Sequence, residues 1–87
     1  MSARIRYAKD HNGNLKSVRN LTSADGREFF VVLHSTQLEG TIYNALTDES
    51  VKFVTGKTAH DTKIRIKHEL KELGVGFAEE RRKTKTD

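Results

Sequence analysis

The chain has 87 residues, of which 34% are hydrophobic and 32% are charged, and its formal net charge at pH 7 is +4. This length and composition indicate one small domain with a thin core. The sequence contains no cysteine, which excludes a disulfide framework, thiolate chemistry and a cysteine-based metal site. No apolar run reaches the length of a signal peptide or a membrane span, so we expect an intracellular, cytoplasmic protein in a reducing compartment, without membrane contact.

The charges are distributed unevenly along the chain. Residues 1–27 carry six Lys/Arg and two Asp/Glu, residues 28–51 carry four acids and neither Lys nor Arg, and residues 52–87 carry ten Lys/Arg and six acids. Both ends are therefore basic and the middle is acidic. Such polarity is typical of a surface that meets nucleic acid, or of a protein that meets a partner with complementary patches.

The N-terminal part predicts short strands. Residues 2–8 alternate apolar residues with Arg4 and Arg6, which indicates a half-buried strand with a basic outer face. An Asn-Gly pair at 12–13 is a strong hairpin signal. Residues 15–22 have apolar residues three positions apart, as in a helical turn, but the short length and the flanking turns favour a strand with room for a bulge.

The middle of the chain predicts three further strands. Residues 28–33, EFFVVL, are apolar on both sides, which is typical of a central strand covered on each face. His34 follows directly, and we interpret it as a structural residue, buried and hydrogen-bonded. Residues 35–46 fit either a helix or a loop followed by a strand over 41–46, and the β-branched and aromatic residues there favour the strand. Residues 51–55 alternate and predict another strand.

One long helix is predicted over about 58–73. Thr58 can act as the N-cap, Asp61 follows in nearly a capping-box position, and Gly74 can end the helix in the left-handed conformation. At 100° per residue an apolar stripe forms, which we expect to be the buried face. Its members are Ala59, Ile66, Leu70 and Leu73.

Together these elements predict an α+β fold, in which a small antiparallel sheet of five or six strands carries the long helix on one face. Residues 1–78 are expected to form this single domain, closed by a short strand at 75–78. Residues 79–87 contain no apolar residue, and we expect them to form a charged and flexible C-terminal tail.

Away from its apolar stripe the predicted helix carries a basic face. Ile64 lies among the cations of this face, and His60 and His68 lie near it. The simplest interpretation is a solvated helix surface. The functional alternative is a contact surface, in which Ile64, His60 and His68 are candidates for a protein interface.

A nucleic acid would be contacted through basic residues directed at its phosphates. The candidates are Arg4, Arg6, Lys57, Lys63, Lys67, Lys71, Arg81, Arg82 and Lys83. Lys57 also follows Gly56 at the helix N-terminus, where backbone N–H groups can bind an anion. The earlier glycine of a P-loop is absent, because position 51 is Val51. A plain strand-to-helix turn with a capping threonine is the alternative.

Two aromatic residues stand close to basic ones. Tyr7 lies between Arg6 and Lys9, and Phe77 precedes Arg81. Exposed aromatic rings on a basic sheet can stack on bases. The chain has two Tyr and four Phe, most of which the core needs, so stacking is a secondary hypothesis.

The four histidines lack HxxxH or HExxH spacing, and no nucleophile stands beside a recognisable base, so we expect no metal, no cofactor and no catalysis. The sequence favours a small basic binding module that contacts nucleic acid, DNA or RNA, mainly through phosphate-directed Lys/Arg. The alternative is a regulator or inhibitor that docks on an acidic surface of a partner protein, through the helix face around Ile64 or the acidic 39–49 region.

Overall fold

The computed structural model describes residues 5–76. These residues form β1 Tyr7–Lys9, β2 Leu15–Ser17, β3 Leu21–Thr22, β4 Glu28–Leu33, β5 Glu39–Asn44, β6 Ser50–Thr55 and α1 Ala59–Glu72. The six strands make one antiparallel sheet in the order β1-β2-β4-β5-β6, and β3 pairs with the same edge of β4 as β2 does. The helix packs on one face of the sheet, so the predicted α+β fold is confirmed.

Several predictions fall outside the described residues. They concern Arg4, Arg81, Arg82, Lys83, Phe77, the tail 79–87 and the second half of the predicted closing strand. The first half of that strand is described, and Val75 and Gly76 form no strand. Val75 is instead buried in the core, where its backbone N–H donates to the Leu70 carbonyl oxygen at 2.9 Å.

The core lies between the helix and the face of the sheet that is turned toward it. Its buried apolar residues are Phe29, Val31, Leu33, Ile42, Val54, Ile66, Leu70 and Val75. Ile66 and Leu70 belong to the predicted apolar stripe and are fully buried, whereas Ala59 and Leu73 near its ends are half-buried. The stripe is therefore the buried face of α1, as its period predicts.

The prediction that β4 is covered on both faces is wrong. Its burial alternates, and Phe30 and Val32, which lie on the face away from the helix, are only half-buried. No described element packs over them. Phe30 is shielded by its neighbours within the sheet, since its ring stacks on Tyr43 with centroids 5.0 Å apart and the Lys16 Nζ lies 4.7 Å from its centroid.

Two glycines allow the helix to approach the sheet closely. A Cβ atom at Gly40 would lie 2.7 Å from the Ile66 Cδ1 and 2.9 Å from the Leu33 Cδ2. A Cβ atom at Gly56 would lie 2.8 Å from the Thr62 Cα. A larger residue at Gly56 would therefore meet the backbone of α1, whereas one at Gly40 would displace the ends of two core side chains.

The helix begins and ends where the capping residues predict. Thr58 is the N-cap, and its Oγ1 accepts from the Asp61 backbone N–H at 3.0 Å. Beyond the C-terminus, Gly74 has a φ of 98°. The turn before β4 holds this end, because the Arg27 Nη2 donates to the Leu73 carbonyl oxygen at 3.0 Å.

The strand predicted over 15–22 is interrupted. β2 and β3 both pair with β4, and the buried Ser17 Oγ accepts from the Val31 backbone N–H at 2.9 Å where β2 ends. Leu15 and Leu21 pack against the core, but Val18 between them is exposed. The spacing of three is therefore not a helical face, because Val18 lies on the opposite side of the sheet.

The segment after β4 is a turn and a strand. β5 covers Glu39–Asn44, so the strand alternative is correct and begins two residues earlier than predicted. His34 is exposed rather than buried, because β4 ends at Leu33 and the chain turns into solvent. It is hydrogen-bonded as expected, since its Nδ1 lies 3.1 Å from the Thr36 Oγ1.

Candidate nucleic-acid interface on the helix

One side of α1 carries a row of lysines. Lys63, Lys67 and Lys71 recur every four residues, so each step rises about 6 Å along the helix axis. His60 and Ile64 lie on the same side, and we term these five residues the basic flank. Lys63 and Lys67 are half-buried, Lys71 and His60 are exposed, and the Ile64 side chain is 51% exposed.

The acidic residues of α1 lie on the other side of the helix. Ion pairs join Asp61 to Arg65 at 3.1 Å and Glu69 to Lys52 at 3.9 Å, and the His68 Nε2 lies 3.8 Å from a carboxylate oxygen of Glu72. Arg65 stands four residues before Glu69 but turns back to Asp61, while Lys52 of β6 reaches Glu69. His68 pairs with an acid, so the structure separates it from the basic flank.

The basic flank borders the first strand of the sheet. The Lys63 Nζ lies 5.9 Å from the centroid of the Tyr7 ring, so the N-terminal half of the flank sits beside β1. Strand alternation puts Lys9 on the same side of β1 as Tyr7, and Lys9 is exposed. Lys9 therefore extends the basic surface from the helix onto the sheet. The strand period could have identified it, but only the fold shows that this side of β1 lies near the Lys63 ammonium group.

Tyr7 is a structural residue beneath this surface. Its hydroxyl is buried and has no hydrogen-bond partner among the described residues. Burial raises the pKa of Tyr7 well above its ordinary value of 10.0. The hypothesis that Tyr7 stacks on bases is therefore wrong, because its ring packs against the core and its hydroxyl is buried.

The turn at Gly56-Lys57-Thr58 satisfies its own backbone groups. The Lys57 backbone N–H donates to the Asp61 Oδ2 at 3.1 Å, and the Gly56 N–H donates to the Leu38 carbonyl oxygen at 3.0 Å. The hydrogen bond from Lys57, and then that from Arg65, hold the pKa of Asp61 below its usual range. The Asp61 carboxylate thus takes the place that an external anion was expected to occupy at the helix N-terminus. The segment is a plain strand-to-helix turn with a capping threonine, which was the alternative interpretation. Only the exposed Lys57 side chain could contact a phosphate.

The structure distributes the described candidates over separate surfaces. Lys63, Lys67, Lys71, His60 and Ile64 come together on the basic flank. Arg6 does not join them: it precedes Tyr7 by one residue, and strand alternation turns its side chain to the opposite side of the sheet.

Residues 5–76 contain no group of three or more His, Cys, Asp or Glu side chains placed to hold a metal ion. No helix in this part of the chain is both long enough and apolar enough to cross a bilayer. Comparison of the chain with protein-family models, with curated proteins and with solved structures gives no match in any of the three.

Proposed function

We propose that this protein is a small non-catalytic module that binds nucleic acid through contacts between the basic flank and phosphate groups. The observation that carries the proposal is the separation of charge around α1. Lys63, Lys67 and Lys71 form one row, while the acids of the helix lie on the other side, paired with Arg65, Lys52 and His68. Such a one-sided row is a suitable surface for a polyanion.

The geometry favours contacts to the backbone of a nucleic acid rather than to its bases. Three lysines spaced by about 6 Å span roughly 12 Å of helix, and Lys9 extends the surface sideways. Lysine ammonium groups bind phosphates as point charges and do not form the planar, bidentate hydrogen bonds that arginine makes. Contacts of this kind position a protein on nucleic acid without reading its sequence.

The test is a salt series of binding measurements with the full chain. Fluorescence anisotropy with short labelled single-stranded DNA, single-stranded RNA and duplex DNA would be measured between about 50 and about 200 mM salt. The triple variant Lys63→Glu, Lys67→Glu, Lys71→Glu should lose binding. On a duplex, each lost phosphate contact should reduce the log–log salt slope by about 0.9.

A second triple variant separates local contact from net charge. Arg19→Glu, Lys52→Glu and Arg65→Glu change the charge by the same amount at exposed positions away from the basic flank. This variant should keep most of the affinity. Equal losses in both triples would show that only overall charge matters, and unchanged affinity in the flank triple would refute the proposed site. Thermal melting of both variants checks that they fold.

Ile64 favours a second candidate, an acidic protein partner. An apolar side chain that is 51% exposed among cations has the composition of an interface centre. Ile64→Ala should change nucleic-acid affinity little, whereas on a protein partner it should cost about 1 kcal/mol or more. A nuclease-resistant complex that Ile64→Ala weakens would favour this second candidate.

A further inference from the structure

The face of the sheet opposite the helix is apolar at its centre. Strand register places Val32 of β4, Thr41 of β5 and Phe53 of β6 side by side across this face. The stacked rings of Phe30 and Tyr43 form the next row. We term this surface the open face. Its Phe53 side chain is 60% exposed, and no element within residues 5–76 lies over it.

The aromatic rings of the open face are packed against one another. Phe30 and Tyr43 stack with an interplanar angle of 17°, and the Lys16 Nζ lies near the Phe30 ring. The two sides of the Phe30 ring are therefore in contact with a neighbouring ring and a lysine. A base that stacks on a sheet needs a free ring face, so this arrangement suits an apolar surface better than a nucleotide.

The charges at the rim of the open face have opposite signs on its two sides. Arg6 and Lys16 lie on the β1–β2 side, and Val18, which directly follows β2, is exposed. On the other side, Glu39 lies at the start of β5 and lines a shallow cavity of about 180 Å³ together with Thr41, Tyr43 and Phe53. The turn between β5 and β6 adds the exposed acids Asp48 and Glu49.

We infer that the open face packs against the open face of a second copy of this chain, about a two-fold axis parallel to the strands. An isologous interface must be self-complementary, and an apolar centre between a basic side and an acidic side meets that condition. The rotation stacks β4 on β4 of the partner and places β2 opposite the partner's β5. Lys16 of each copy then faces the side of the other copy that carries Glu39.

The size of the face fits a reversible dimer. Five strands spaced by about 4.8 Å give a width of about 24 Å. The six-residue strands β4, β5 and β6 give a length of about 20 Å, as do β2 and β3 together along one edge of β4, whereas β1 has three residues and is about 10 Å long. Each copy would bury roughly 430 Å² of projected area, and the total of roughly 860 Å² lies below the bound of about 1,000 Å² for stable specific interfaces, in the range of a weak contact. Two sheets that pack in this way stand about 10 Å apart with their strands rotated by about 30°.

A nucleic acid on the open face is disfavoured by the same observations. Glu39 and the acids of the β5–β6 turn would repel phosphates on one half of the face. The basic flank lies on the helix side of the sheet, so a dimer through the open face does not cover that flank in either copy. The inference does not depend on the proposed function.

Sedimentation velocity of the full chain over a range of concentrations tests the dimer. The wild-type protein should shift from monomer to dimer as concentration rises. Phe53→Ser should weaken dimerisation at least tenfold, because it removes an apolar ring from the interface. Ile64→Ser is the matched control, since Ile64 is comparably exposed but lies on the helix, and it should leave dimerisation unchanged.

A charge exchange tests the orientation of the two copies. Lys16→Glu and Glu39→Lys should each weaken the homodimer, because each variant opposes like charges. An equimolar mixture of the two single variants should dimerise more strongly than either alone, since the glutamate introduced at position 16 of one copy would meet the lysine introduced at position 39 of the other. The second contact of that mixed dimer keeps the native pair, Lys16 with Glu39. Only contact between two chains produces this recovery.

Three outcomes would overturn the inference. A wild-type protein that stays monomeric at every concentration excludes the dimer. A dimer that Ile64→Ser disrupts and Phe53→Ser does not would use the helix side instead. Oligonucleotide binding that Phe53→Ser and Lys16→Glu abolish, in a protein that remains monomeric, would identify the open face as a nucleic-acid surface.

Discussion

The two faces of the central strand β4 are both apolar, but their environments differ. On the helix side, Val31 and Ile42 are fully buried, whereas on the open face Val32 is half-buried and Phe53 is largely exposed. Residues 28–33 are apolar at nearly every position, so alternation in the sequence does not distinguish the faces. The difference shows that an apolar run in the sequence predicts a strand inside a sheet. It does not predict whether one or both faces of that strand are covered by another layer.

The largest contrast between the faces is expected from core truncation. Ile66→Ala should reduce the free energy of unfolding by about 3 kcal/mol, because it removes a fully buried side chain that the sheet cannot replace. Phe53→Ala on the open face should cost less than about 1 kcal/mol. Urea denaturation at low protein concentration, where any dimer is dissociated, measures both. Equal losses would mean that both faces are covered.

Gly40 offers the next contrast. Gly40→Ala should destabilise by about 1 kcal/mol, since the new Cβ would lie within 3 Å of the ends of the Ile66 and Leu33 side chains and force them to repack. Thr41→Ala alters the adjacent residue on the open face and should change stability by about 0.5 kcal/mol or less. A neutral Gly40→Ala would show that the helix does not lie as close to β5 as described.

Thr58, the N-cap of α1, lies between the last strand of the sheet and the helix that covers one face of it. Thr58→Ala should cost about 1 kcal/mol, because the Asp61 backbone N–H loses its acceptor. Thr55→Ala, at the exposed end of β6, controls for the loss of a threonine side chain. It should reduce stability by only a few tenths of a kcal/mol. Thermal melting monitored by circular dichroism at 222 nm, a wavelength that reports helix, ranks the two variants.

Tyr7 gives the smallest effect on stability. Tyr7→Phe should be neutral or stabilising by up to about 1 kcal/mol, since it removes a buried hydroxyl that lacks a hydrogen-bond partner among the described residues. Tyr43→Phe removes a hydroxyl from the open face and reports the cost of that change alone. A loss above about 1 kcal/mol in Tyr7→Phe would reveal a hydrogen bond to the Tyr7 hydroxyl.

The same residue predicts how stability depends on pH. Burial raises the pKa of Tyr7 in the folded state above its ordinary value of 10.0. The folded state therefore holds this proton more tightly, so the associated stability is present below about pH 10 and is lost as the pH rises through the folded-state pKa. Denaturation at increasing alkaline pH should show wild type losing stability relative to Tyr7→Phe. Parallel curves would contradict the burial of the hydroxyl.

The sequence alone determined the elements that depend on local chemistry. The bounds of α1 follow from Thr58 at one end and Gly74 at the other, and its buried stripe follows from the 3.6-residue period. The strand at 28–33 follows from a short run of β-branched and aromatic residues between turn-forming segments. Each of these features depends on residues that are close together in the sequence, so no contact between distant residues is needed to predict them.

Only the tertiary structure decided which face of the sheet is covered and which charged residues form ion pairs. One helix can cover only one face of the sheet, and α1 packs on the face that carries Gly40, so the opposite face has no element over it within residues 5–76. Lys52 of β6 forms an ion pair with Glu69, and Arg65 forms one with Asp61. These acids therefore lie on the side of the helix away from the lysine row. The position of that row beside β1 depends on contacts between residues far apart in the chain, and neither composition nor periodicity contains that information.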